Sequence, residues 1–195
     1  MRNSYIDKYD ILEIFKDDAY QKILIGTSKE NPNEVAVINL LSRDKFKDII
    51  SASQFQKGLN NLVHLKVLDD KVVVVTEYKE GTPLDTYLNY FNTTLKHKIN
   101  LAYEYLTKIV KYDVFNNSLK NIFIDESQVI LKNDVLLFNE LIIFDENFEK
   151  IHDFSKIAKK IGLIMEKIIF TTKSDENETF ENDRTIKRSK NLLIN

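Results

Sequence analysis

Val75-Thr76-Glu77-Tyr78-Lys79-Glu80-Gly81-Thr82-Pro83-Leu84-Asp85 is the stretch at which the chain changes character. It opens on the end of a β-branched run, Val72-Val73-Val74-Val75-Thr76, whose side chains suit a pleated and buried strand. Gly81 and Pro83 then punctuate the extended chain, and a short helix is expected over residues 84–90. Upstream of this junction almost every regular segment reads as strand. Downstream, most read as helix.

Upstream, strands are expected over residues 9–15, 21–26, 34–41, 61–68 and 71–78. A polar bend at Lys16-Asp17-Asp18 joins the first two, and Asn31-Pro32-Asn33 is a turn signal before the third. Ser42-Arg43-Asp44 reads as the start of a helix over residues 43–57, with Phe46, Ile49, Ile50, Ser53, Phe55 and Leu59 on one face. The sum is a five-strand sheet with one helix inserted after strand three. Downstream, residues 95–112 place Ile99, Ala102, Tyr103, Leu106, Ile109 and Val110 at helical spacing. A polar loop over 113–120, short strands around 122–124 and 129–131, and one or two buried strands over 135–144 are expected next. That last run is broken by Asn139 and Glu140. Residues 153–169 are the clearest helix, with Phe154, Ile157, Ala158, Ile161, Ile164, Met165 and Ile168 as its inner stripe.

Composition narrows the function. The chain has 195 residues, 43 % of them apolar, so it can bury a core. It has no cysteine, which removes disulfides, thiolate zinc sites and thiol catalysis. A net charge of −2 argues against a nucleic-acid partner held by phosphate neutralisation. The four glycines, at 26, 58, 81 and 162, stand alone, so neither a GxGxxG turn nor a GxxxxGK[ST] loop exists. No apolar run reaches the ~18 residues of a membrane span, and the N-terminal stretch lacks a secretory signal pattern, so a cytoplasmic chain is expected.

Several local strings, taken in order, resemble the protein kinase family. Val35-Ala36-Val37-Ile38 is similar to the third-strand Val-Ala-Ile-Lys motif, and Asn61-Leu62-Val63-His64-Leu65 to the entry into the fourth strand. The opening stretch is similar to the hinge and the helix start that follows it, with Glu77 and Tyr78 as the hinge residues. Ser118-Leu119-Lys120-Asn121-Ile122-Phe123-Ile124-Asp125 resembles the end of the catalytic loop, Asp134 stands at the spacing of the metal-binding Asp, and His152-Asp153-Phe154 resembles the start of the central helix of the large lobe. The resemblance implies an α+β, bilobal kinase-like fold. Its five-stranded small lobe would cover residues 5–80, a truncated helical large lobe 81–170, and a charged tail 171–195.

The departures from the family pattern set the functional expectation. Ile38 stands at the position of the phosphate-gripping Lys, and residues 43–57 contain no Glu to hold such a Lys. Asn116 falls at the position of the catalytic base, with Asp113 the nearest carboxylate that could replace it. Asn121 and Asp134 are the two surviving candidates for metal ligands, and the bend carrying Asp17 and Asp18 replaces the glycine-rich flap. A general base is worth roughly 10²–10⁴ in rate, and here several parts are lost together. The expectation is therefore a pseudokinase-like module that binds protein partners and takes no cofactor. The alternatives are a divergent serine/threonine kinase that still binds ATP with magnesium, and a nucleotide sensor without turnover.

The tail is acidic first (Asp175, Glu176, Glu178, Glu181, Asp183) and then basic (Arg184, Lys187, Arg188, Lys190). That order suits a juxtamembrane segment preceding a membrane anchor beyond Asn195. In organisation, more than in motif, the chain resembles the pseudokinases of type VII secretion.

Overall fold

The computed structural model describes residues 6–46, 51–91, 93–144 and 151–171. The strands β1 (Tyr9–Asp17), β2 (Gln21–Ser28), β3 (Val35–Ser42), β4 (Leu62–Val67) and β5 (Lys71–Glu77) form one antiparallel sheet in the order β1-β2-β3-β5-β4. The expected bend between β1 and β2 is fixed by Asp18, whose Oδ1 accepts from the N–H groups of Tyr20 (2.8 Å) and Gln21 (2.9 Å).

Strand alternation gives the sheet two faces. Leu24, Ala36, Ile38, Val73 and Val75 cluster on one. Leu41, Val72 and Val74 point the other way, into the main core, and Ile23, Ile25 and Val37 share that inner side. Against it lies α2 (Ala52–Gly58), through Phe55, which is fully buried. The approach is close: a Cβ on Gly58 would stand 2.3 Å from the Phe115 ring. The helix expected over 43–57 is in fact α1 (Arg43–Phe46) and α2, with Ser51 extended (φ −118°) just before α2. The expected inward positions Ile49 and Ile50, and the side chain of Phe46, lie outside the described residues.

The junction stretch pairs directly with the second part of the molecule. Thr82 and Pro83 form β6 (Thr82–Pro83), opposite Leu131 and Ile130 of β7 (Val129–Lys132), which in turn pairs with β8 (Val135–Phe138). The helices α3 (Leu84–Tyr90), α4 (Leu95–Ile109), α5 (Asn117–Phe123) and α6 (Phe154–Phe170) pack around this small sheet.

Three expectations are corrected here. Residues 117–123 are helix, where a polar loop and a strand at 122–124 were expected. Asn116 caps that helix, its side chain accepting from Leu119 N, and Leu119 and Phe123 are fully buried. Capping and burial together override the strand preference of Ile122-Phe123-Ile124. The inner stripe of α4 is Lys98, Leu101, Ala102, Tyr105 and Ile109, whereas Ile99, Tyr103 and Val110 are exposed. Lys98 can sit in that stripe because its ammonium reaches out to the carbonyl of Thr171. Phe154 and Ala158, expected inside on α6, are also exposed. Among the described residues, no helix is long and apolar enough to cross a membrane; the charged tail beyond Thr171 lies outside them.

Candidate functional site

A cleft-forming fold would leave a space between the inner face of β2, β3 and β5 and the chain that follows β8. In this protein residues 139–144 run through that space. Glu140 turns the chain out of the strand with a left-handed backbone (φ 54°), which is why β8 stops at Phe138. The segment is then fastened to the sheet by polar side chains.

Gln21, at the start of β2, does most of the fastening. Its Nε2 donates to the carbonyl of Ile142 (2.9 Å) and its Oε1 accepts from Phe144 N (2.6 Å), so one side chain imitates a strand partner. Lys16 Nζ donates to the Phe144 carbonyl as well. From below, Gln128 brackets Leu141, accepting its N–H (2.8 Å) and donating to its carbonyl (3.1 Å). Glu140 is fully buried, and its carboxylate accepts from Asn60 N (3.0 Å), Asn60 Nδ2 (3.1 Å), Asn61 N (2.7 Å) and the Tyr112 hydroxyl (3.0 Å). A buried carboxylate is tolerated when donors converge on it in this way. Burial, then the charge and hydrogen bond of Glu140, push the Tyr112 hydroxyl far above its ordinary range.

Among the described residues, the space there holds a cavity of about 30 Å³ lined by Phe15, Ile23, Ile25, Val37 and residues 141–143. A drug-sized ligand needs about 300–1,000 Å³. The polar side chains facing inward are Asn39 and Thr76. Asn39 Oδ1 accepts from Gln21 Nε2 (3.2 Å), while Asn39 Nδ2 and Thr76 Oγ1 are buried without a hydrogen-bond partner.

The hinge candidates are equally occupied. Glu77 N donates to Asn61 O (2.8 Å), Tyr78 N to Val35 O (2.9 Å), and Lys79 N to the side-chain oxygen of Asn139 (2.8 Å). Three consecutive N–H groups are thus already bonded within the chain. The Glu77 carboxylate pairs with Lys79 at 2.5 Å. Burial, and then the charge of Glu80, raise the Tyr78 hydroxyl, with the hydrogen bond to Asn139 acting the other way.

The remaining sequence candidates are dispersed. Ile38 faces away from the cleft, among Leu24, Ala36, Val73 and Val75; its neighbours Val37 and Asn39 point inward, because side chains alternate along β3. Ile38, expected at the position of the phosphate-gripping Lys, therefore does not line the cleft; residues 139–144 fill it. Asn116 is a helix cap. Asp113 is paired with Lys120 and carries a largely exposed side chain. Asn121 lies on α5, where its carbonyl accepts from Lys160 Nζ (2.9 Å). Asp134 occupies the turn between β7 and β8 (φ 62°), accepting from the Tyr87 hydroxyl (2.6 Å), which is also 3.0 Å from His97 Nε2. Among the described residues, no group of three or more acidic or histidine side chains is placed to hold a metal. Asp153 caps α6, its carboxylate accepting from Ser155 N (2.8 Å).

Sequence reasoning missed Gln21, Gln128, Asn139 and Glu140 as the residues that shape the site. A signal existed: Asn139 and Glu140 interrupt an apolar run, and a polar residue inside such a run is informative because its burial must be compensated.

No family model matches the sequence, and no curated protein matches it. Solved structures do match. The crystal structure of Rad53 residues 1–466 in complex with AMP-PNP aligns over 98 % of this chain with a TM-score of 0.54 and 10 % sequence identity. The chain spans 58 % of the length of that one, and 433 solved chains match in all. At such identity the likeness concerns fold alone: the protein has a mixed α+β, kinase-like fold built on a five-stranded antiparallel sheet.

Proposed function

We propose that this chain is a non-catalytic, kinase-like module that works through protein partners with its cleft closed to nucleotide. The observation that carries this reading is the course of residues 139–144 across the inner face of β2 and β3, tied down by Gln21 and Asn139. Opening the cleft would break the two Gln21 bonds to residues 142 and 144 and the Asn139 bond to Lys79 N. Each is worth about 1 kcal/mol net, so the open form would be populated at roughly one part in a hundred. Apparent affinity for any cleft ligand falls by the same factor. Phosphate would gain little in return, since Asn39 and Ile38 supply no positive charge on β3.

Thermal unfolding with millimolar ATP, with and without magnesium or manganese, tests the reading. The expected result is an unchanged midpoint. Ligand linkage would stabilise the chain by about 2.7 kcal/mol at one hundred times Kd, so a metal-dependent rise abolished by Asp134→Ala overturns the closed cleft and favours an ATP-binding enzyme or sensor.

A further inference from the structure

Residues 139–144 roof the inner face of β2 and β3, and the two ends of that roof are held unequally. At the Glu140 end a fully buried carboxylate meets four donors. There Asn139 also accepts from Lys79 N, and its own N–H donates to the Gln128 carbonyl (2.8 Å). At the Phe144 end the bonds come from the β1–β2 hairpin, two from Gln21 and one from Lys16. The Lys16 side chain is 20 % exposed and shares its ammonium with Asp18 (3.0 Å). Water therefore competes for the clasp at Phe144 and is kept from the carboxylate of Glu140.

Beneath the roof the closed state leaves polar atoms unanswered. The inner-face register runs Glu13-Ile25-Val37-Thr76 in one row and Lys16-Ile23-Asn39-Val74 in the next. Ile23, Ile25 and Val37 line the cavity together with residues 141–143. Around them Glu13 Oε2, Asn39 Nδ2 and Thr76 Oγ1 are buried without a hydrogen-bond partner. Water supplies the missing partner when the floor is uncovered, so the closed state is opposed from within. Glu140 adds to this by turning in left-handed backbone (φ 54°), which a non-glycine residue keeps only while its surroundings enforce it.

We propose that residues 141–144 form a lid, hinged at Glu140 and clasped by Lys16 and Gln21 of the β1–β2 hairpin, whose lifting hydrates Asn39 and Thr76. The proposal rests on the closed-cleft reading above and makes that closure a switch. A permanent plug would answer the polar groups it buries; this one leaves three of them working against it. The hairpin is then the handle of the switch: whatever draws Lys16 away from the Phe144 carbonyl favours the open cleft.

Native-state hydrogen exchange on the full chain, resolved amide by amide, tests the lid. The Phe144 amide should exchange at least about tenfold faster than those of Val37 and Val74 in the strands beneath. Its rate should hardly change in low urea while theirs climbs, because lifting a lid exposes far less surface than unfolding. Lys16→Met should speed Phe144 about fivefold, the worth of one hydrogen bond. Thr76→Val removes one unanswered hydroxyl at nearly constant volume and should slow Phe144 about fivefold. Phe144 exchanging in step with Val37 and Val74 overturns the lid, since the roof then opens only with the whole fold. So does indifference of Phe144 to Lys16→Met or to Thr76→Val. None of those results opens the cleft to nucleotide, which a metal-dependent rise in midpoint with ATP would show separately.

Discussion

The roof over β2 and β3 and the outer flank of α4 are built by opposite means. The roof, residues 139–144, is held by buried polar side chains: Gln21, Gln128, Asn139 and Glu140 are each at most 5 % exposed. The flank presents Leu95, Ile99, Tyr103 and Val110 to solvent. Burying an amide or carboxylate is unfavourable unless its donors and acceptors are met, so the closed arrangement that meets them is the favoured one. Leaving large apolar side chains in water forgoes ~1.5–3 kcal/mol each, and nothing within the described chain recovers it at the flank. Most polar groups at the roof are answered internally, with Asn39 Nδ2 and Thr76 Oγ1 among the exceptions, whereas the apolar row on α4 is answered by nothing among the described residues.

The comparison breaks first at Glu140. Glu140→Ala leaves the Asn61 N–H and the Tyr112 hydroxyl buried without their acceptor, and the Asn60 N–H loses its partner too. The expected loss is about 3–5 kcal/mol, a large share of the 5–15 kcal/mol typical of a domain, read from urea unfolding. A loss below ~1 kcal/mol would mean that the roof is held by something else. Gln21→Ala comes next. It removes both bonds to the roof and the one to Asn39, costing about 2 kcal/mol and speeding amide exchange at Phe144 ahead of the strand amides.

The two regions also differ in how far the sequence disclosed them. The sheet was legible because β-branched runs at residues 21–26, 34–41 and 71–78 are bounded by strong turn signals, and observed strand ends fall within two residues of those expected. The face of each residue was harder to read. In β3 both sides are buried, so Ile38 and Asn39 give no alternation of apolar and polar to fix the register against the cleft. The roof was legible only as an interruption, because its bonds reach from residue 21 to 144 and from 60 to 140, contacts that no local pattern encodes. In α4 two apolar stripes overlap, and period alone could not say which one faces the core. Tyr105 and Lys98 decide it, by bonding to the carbonyls of Ile124 and Thr171.

Alkaline pH adds a further test, since three buried tyrosines, Tyr87, Tyr105 and Tyr112, are raised. Burial, and then the hydrogen bond to Asp134 and its charge, push Tyr87 to about 12 beside the start of α4. Tyr112 beneath the roof and Tyr105 in the core are raised by burial first, with Glu140 and Asp125 respectively adding to it. In each case the folded chain keeps its proton while the unfolded chain loses it near pH 10. The stability these groups contribute is therefore present below pH 10 and lost as pH rises above it. A thermal midpoint that falls steeply between pH 10 and 12, with no native tyrosinate absorbance at 295 nm before unfolding, is expected. Tyr87→Phe should cost about 1 kcal/mol at neutral pH and make that fall shallower. Native ionisation of Tyr87 near pH 10 would contradict the buried geometry.

The smallest effect on stability is expected at the flank itself. Tyr103 is 71 % exposed and Tyr105, two residues on, is fully buried with its hydroxyl 2.7 Å from the carbonyl of Ile124. Tyr103→Ala removes a ring that touches water on most sides, so the unfolding free energy should stay within about 0.5 kcal/mol of the parent. Tyr105→Phe strands that carbonyl in the core and should cost more than Tyr103→Ala despite being the milder change. If Tyr103→Ala destabilised the isolated chain by more than ~1.5 kcal/mol, the row on α4 would already be packed against some part of this chain. The flank would then be a second closed surface like the roof. An unchanged midpoint leaves on α4 an apolar row that the described part of the fold does not need.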